Sequence, residues 1–140
     1  MDDDNRETMH IRQSDIHRAI KQQKRDTHGQ DTLNDDNRIV LHIMGHKETV
    51  QLDDGERVIL GRFDPPEGHQ LDLSPYNALL QGISREHAEI HVAARHVYLV
   101  DLGSTNGTYV AGERLQPGEP RLLQKSDEIL LGRLNLQVFF

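Results

Sequence analysis

SREHAEIHVAARHVYLVDLGSTNGTYV, residues 84–110, is the stretch on which the fold turns. Within it Ala88, Ile90 and Val92 alternate with Glu89 and His91, and His96–Val100 is a further β-rich run. Alternation with period two puts one side of a strand on a core and the other in solvent. Polar, loop-forming segments bracket these runs. Ser84-Arg85-Glu86-His87 lies directly before the first, and Asp101-Leu102-Gly103-Ser104-Thr105-Asn106-Gly107-Thr108 directly after the second.

The same pattern extends outward. Ile39, Leu41 and Ile43 alternate with Val40, His42 and Met44; Leu134, Leu136, Val138 and Phe140 alternate with Asn135 and Gln137. Val58–Leu60, Thr108–Val110 and Ile129–Leu131 add short β-rich runs. Turn signals separate them at Asp53-Asp54-Gly55, Asn106-Gly107, Ala111-Gly112 and Pro117-Gly118. Many short strands with frequent turns predict an all-β sandwich. Phe63 to Ile83 is the one non-β stretch, and Ser74-Pro75 could open a single helical turn there.

Composition narrows the function. The chain has 140 residues and a formal net charge of -7, the wrong balance for a general nucleic-acid binder, which needs clustered excess basic charge. No run of eighteen apolar residues spans a membrane, and the acidic start has no apolar core of a secretory signal. The absence of cysteine excludes disulfides and thiolate chemistry. These features fit a cytoplasmic protein. His87 and His91 are four apart, but on a strand that spacing is about 13 Å, too far for one zinc, so no metal or cofactor is expected. Gly103–Gly107 lacks the Gly-Lys-Ser/Thr ending of a P-loop and precedes no helix. Ser84, His87 and Asp101 invite a hydrolase triad, yet no nucleophile elbow or oxyanion hole supports it. No enzyme is expected.

Residues 1–36 differ from the rest. They hold seven apolar residues: Met1, Met9, Ile11, Ile16, Ala19, Ile20 and Leu33. So little apolar surface predicts a flexible, disordered acidic tail, with 37–140 as the folded domain. Ile16, Ala19 and Ile20 share a helical face that Ser14 could cap, though an isolated helix this short is marginal. Thr8, Thr27 and Thr32 in this tail are accessible to a kinase, and a phosphate added there would be a charge that an Arg elsewhere in the same chain could pair. Thr32 is only six residues before Arg38, a tether of at most about 20 Å, which suits a second molecule better.

Three polar segments converge if the loops of an antiparallel sandwich cluster at its ends: Leu60-Gly61-Arg62, Ser84–His87 and Asp101–Thr108. Together they offer a guanidinium fork, hydroxyls, a side-chain amide and turn N–H groups, an inventory suited to a tetrahedral dianion. In this order, Leu-Gly-Arg, Ser-Arg-Glu-His-Ala and Asp-Leu-Gly-Ser-Thr-Asn-Gly-Thr-Tyr-Val resemble the forkhead-associated (FHA) domain over roughly residues 38–140. The resemblance implies a sandwich of about eleven mostly antiparallel strands with adjacent termini and no catalytic activity. It implies that Arg62, Ser84 and Thr105 contact the phosphate of a phosphothreonine. Asn106 would hold the peptide backbone, and Arg85 would make a further backbone or phosphate contact. Gly61, His87 and Gly107 would support the site. The partners implied are phosphothreonine proteins, substrates of a Ser/Thr kinase, with the chain as adaptor or regulator. The alternative is an interaction domain that uses the sandwich surface and ignores phosphate. The insert Phe63–Ile83 is longer than in many members, which leaves open the preference for residues flanking the phosphothreonine.

Overall fold

The computed structural model describes residues 11–23 and 30–140. Within them, strands β1 (Arg38–Ile43), β2 (His46–Gln51), β7 (Thr108–Val110), β8 (Glu113–Arg114), β10 (Glu128–Leu131) and β11 (Leu134–Phe139) form one sheet. Its order is β2-β1-β11-β10-β7-β8. Strands β3 (Arg57–Gly61), β4 (Gln70–Asp72), β5 (Glu86–Ala93), β6 (His96–Asp101) and β9 (Arg121–Leu122) form the second, in the order β4-β3-β5-β6-β9. Pairing is antiparallel throughout except for β3 with β4, which is parallel. The alternating apolar residues face inward as their period requires. Ile39, Leu41 and Ile43 of β1 and Ala88, Ile90 and Val92 of β5 are fully buried in one cluster shared by both sheets. This is the two-sheet, eleven-stranded sandwich expected of the sequence.

The insert Phe63–Ile83, read from sequence as non-β, contributes the edge strand β4 and a single 3-10 turn at Ser74–Tyr76 with Pro at its start. Leu73, Tyr76, Ala78 and Ile83 enter the core, so the insert is anchored from β4 onward, while residues 64–69 are exposed.

The N-terminal stretch departs from the expectation of a disordered tail wherever it is described. Gln13–Gln23 forms helix α1. Ala19, Arg18, Lys21 and the glutamines favour helix, and Asp15 in the first turn and Lys21 in the last complement its dipole. What stabilises it is tertiary. Ile16 and Ile20 are buried against Tyr98 and Val100 on the outer face of the five-stranded sheet, with Ile11, Leu102 and Leu122 around them. Gln13 Nε2 donates to Glu89 (2.8 Å) and Gln23 Nε2 to the Pro120 carbonyl (2.7 Å). Glu89 and His91, placed on the solvent side by their alternation, therefore lie buried under α1. Glu89 is held there by Arg57 (3.4 Å) and His91 (3.2 Å).

Residues 30–36 are also fixed. Leu33 is buried in the main core, its N–H donates to the Arg95 carbonyl (2.7 Å), and Arg95 donates back to the Leu33 and Asn34 carbonyls. Arg95 lies in the β5–β6 turn, at the opposite end of β5 from Ser84–His87. Thr32 is exposed at that far end, whereas Thr8 and Thr27 lie outside the described residues.

Candidate functional site

The loops β3–β4, β4–β5 and β6–β7 meet at one end of the sandwich, and the contact begins with a glycine. A Cβ on Gly61 would fall 1.9 Å from the Arg85 carbonyl oxygen, so only glycine lets β3 run this close to the segment before β5. The closeness is used at once: the Arg62 N–H donates to that same carbonyl (3.0 Å). The Arg62 side chain, half-buried, donates from Nε to the Ile83 carbonyl (2.7 Å), and among the described residues its paired Nη nitrogens make no hydrogen bond. Arg85 is exposed beside it, and the two arginines line an open groove of about 530 Å³ with Phe63 and Pro65. Asp72 shapes the chain just past Arg62 by accepting hydrogen bonds from the Phe63 N–H, the Ser74 N–H and the Ser74 hydroxyl. Burial would raise its carboxyl, but these three hydrogen bonds outweigh it and hold the pKa below the usual value.

His87 ties the second and third loops together from inside. Its Nδ1 accepts from the Ser84 N–H (3.0 Å) and its Nε2 is 2.9 Å from the Gly107 carbonyl. An Nδ1 that accepts carries no proton, so Nε2–H is the donor and the ring is neutral. Burial lowers the His87 pKa below the usual value, against the opposing influence of the Gly107 carbonyl and Asp101. With both ring nitrogens engaged to backbone, His87 has none left to act as base toward the Ser84 hydroxyl. That hydroxyl oxygen instead accepts from the Thr105 N–H (3.1 Å), so its own proton is free to donate outward.

Asp101 organises the third loop, a role the sequence reading did not give it. Buried at the end of β6, its carboxylate accepts from the Gly103 and Ser104 N–H groups and from the Ser104 and Thr108 hydroxyls at 2.5–3.2 Å. The signal was present in Asp-Leu-Gly-Ser, where an Asp can bond backbone N–H groups two and three residues on. Ser104 Oγ in turn accepts from the Gly107 N–H (3.0 Å). Gly107 is buried with φ of +91°, a left-handed backbone that suits glycine. The loop so fixed presents Thr105 and Asn106 exposed, and Asn106 Nδ2 donates to the Gly82 carbonyl (2.9 Å). Arg62, Ser84, Arg85, Thr105 and Asn106 thus share one rim, with Gly61, His87 and Gly107 beneath it. Arg133, also missed, reaches this rim from the β10–β11 turn: its N–H donates to the Gln81 carbonyl (2.7 Å) and its guanidinium to the Leu80 carbonyl.

Among curated proteins, the chain is 40% identical over 75 residues to the protein FraH of Nostoc sp., covering 54% of this chain and 25% of that protein. It is 43% identical over 54 residues to the oxoglutarate dehydrogenase inhibitor of Corynebacterium efficiens, covering 39% and 36%. The matched part thus spans about a quarter to a third of these relatives' length. A structure solved in a study of phosphothreonine-dependent FHA domain interactions superposes with a TM-score of 0.57 at 32% identity, over 74% of this chain and 96% of that one. The family model described as FHA domain matches residues 58–132, which carry all three rim loops, and the chain belongs to the FHA domain family.

Proposed function

We propose that this protein is a phosphothreonine-dependent binding module that acts as an adaptor or regulator in Ser/Thr kinase signalling. The observation that carries the reading is the wiring of the rim. Arg62, Ser84, Thr105 and Asn106 come from three loops far apart in sequence, and each is tied to the neighbouring loop by a hydrogen bond. In this reading the Arg62 fork and Arg85 pair with phosphate oxygens, the hydroxyls of Ser84 and Thr105 donate to them, and Asn106 steadies the peptide backbone. The solved relative studied for phosphothreonine-dependent interactions supports it, as does the regulatory naming of the Corynebacterium relative. The role proposed is binding without catalysis. His87 and Asp101 are consumed by structural hydrogen bonds. Among the described residues no helix is long and apolar enough to cross a membrane, and a cytoplasmic setting, where Ser/Thr kinases would supply ligands, fits the reading. The test is a titration of the full chain with matched threonine, phosphoserine and phosphothreonine peptides. Binding should need the phosphate and should favour threonine severalfold, because a methyl-sized contact contributes about 1 kcal/mol. Equal binding of the unphosphorylated peptide would instead favour an interaction surface that ignores phosphate.

A further inference from the structure

Helix α1 does more than cover a sheet face. Just before its first turn, Ile11 packs on two glycines: a Cβ on Gly118 would meet it at 3.4–3.6 Å and one on Gly103 at 3.9 Å. Gly103 belongs to the β6–β7 loop and Gly118 to the β8–β9 loop, and the Gly118 N–H donates to the Asp101 carbonyl (2.8 Å). Leu102, between Asp101 and Gly103, packs with Ile11 against the cluster of Ile16, Ile20, Tyr98 and Val100. Its own N–H donates to the His87 carbonyl (3.0 Å). The start of α1 therefore rests on the backbone of the residues that set the rim loop. Gly103 is two residues from Thr105, at most about 7 Å of chain, and the Thr105 N–H reaches Ser84 Oγ.

Opposing terms act on the docked helix. Ile16, Ile20 and the two glutamine hydrogen bonds favour docking. Three features of the same interface work against it. Glu89 is fully buried beneath α1, and taking a carboxylate out of water carries a desolvation cost. Gln13 Oε1 and Tyr98 Oη are buried with no hydrogen-bond partner among the described residues, and each such atom is unfavourable. The helix has only eleven residues, too few to persist alone in water, so leaving the sheet and unfolding are one event. The β-sandwich core lies on the other side of the sheet and does not depend on Ile16 or Ile20. An element of this kind opens locally while the rest of the domain stays folded.

Resting on the phosphothreonine reading, we propose that α1 is a detachable buttress of the rim. Docked, it holds Leu102 and Gly103 in the arrangement that presents Thr105 and Asn106. Detached, it frees the β6–β7 loop, and phosphothreonine affinity falls. The helix need not touch the ligand, because both bias the same loop. Linkage makes the effect reciprocal: a phosphopeptide seated on the rim stabilises the docked helix by the factor by which the helix raises the peptide's affinity. Whatever displaces α1 thus turns the module down from behind its binding surface.

The experiment uses the full chain and one phosphothreonine peptide, with amide hydrogen exchange and fluorescence polarisation as readouts. In the wild type, saturating phosphopeptide should slow exchange across Gln13–Gln23 about fivefold to tenfold, and the unphosphorylated peptide should not. In Ile16→Asp without peptide, exchange should rise over Gln13–Gln23 and over residues 102–107 while β1 and β11 stay protected. The phosphopeptide affinity of that variant should fall about fivefold to tenfold. Ile11→Ser should lose part of the affinity, and Ile11→Val should restore it. A peptide that binds the rim and leaves α1 exchange unchanged overturns the proposal, as does an undocked variant with full affinity. The wild-type comparison requires no substitution, so it decides the matter even where Ile16→Asp fails to fold. Failure of the phosphothreonine reading looks different: the wild type then binds no phosphopeptide at all. The buttress is still read in the ligand-free variant, where unchanged exchange over residues 102–107 refutes it independently.

Discussion

In the proposed reading Arg62 is the residue on which phosphate recognition converges, because its Nε is fixed on Ile83 and it follows a position that glycine alone permits. A charge-assisted hydrogen bond contributes about 1.5–3 kcal/mol. Arg62→Ala should therefore weaken phosphopeptide binding by about tenfold to over a hundredfold in a titration, with circular dichroism unchanged. Arg62→Lys should recover part of the loss only, since a point ammonium replaces neither the fork nor the Nε contact. His87 gives a second prediction, in pH. Its folded pKa is lowered from 6.5, chiefly by burial, so below about that pH the unfolded chain takes up a proton that the native ring refuses. Stability contributed by neutral His87 is complete above pH 6.5 and is lost as the pH falls toward the lowered native value. Denaturant midpoints should drop between pH 7 and pH 5, and His87→Asn should flatten that drop. An unchanged slope in the variant would remove His87 as its source.

Helix α1 shows where a strand pattern stops being informative. Period two in β5 places Ala88, Ile90 and Val92 correctly in the core, yet it assigns Glu89 and His91 to solvent, where they are not. Alternation reports only that two faces differ in polarity; it cannot report that a polar face has been covered by a helix elsewhere in the chain. The cover was hard to see for the same reason. Seven apolar residues in thirty-six look too few for order, but Ile16 and Ile20 need no core of their own when Tyr98, Val100 and Leu122 already offer one. The three rim loops were legible because each carries its residues in one short run. Asp101 was missed as the loop's organiser and Arg133 altogether, since their partners become neighbours only through folding. Burying the two isoleucines contributes about 3–6 kcal/mol in total, so replacing one by a carboxylate should suffice to undock α1. In Ile16→Asp, hydrogen exchange should rise over Gln13–Gln23 and β6, the thermal midpoint should fall, and the phosphopeptide affinity should report whether Leu102 beside Gly103 is disturbed. Undiminished protection of α1 would mean that the polar contacts, Gln13 to Glu89 and Gln23 to Pro120, hold it instead.

Across the whole molecule, ligand binding and stability are linked. A phosphothreonine peptide at a hundred times its dissociation constant should add about 2.7 kcal/mol to the folded state, seen as a rise of roughly 10 °C in the thermal midpoint. The unphosphorylated peptide should leave the midpoint where it was. The two ends of the sandwich have separate duties. Val40 pairs with Phe139, the Lys125 ammonium lies over the Phe140 ring and bonds Asn34, and Arg95 gathers Leu33, Asn34 and Asn37 at the same pole. Arg62, Ser84 and Asn106 stand at the other pole, a full strand's length away. The domain is built like a plug, with a handle where β1 starts and β11 ends and prongs that face outward. Cargo joined at Phe140 would keep clear of the prongs, whereas anything joined ahead of α1 would lie beside them, because Ile11 packs against Gly103 and Gly118.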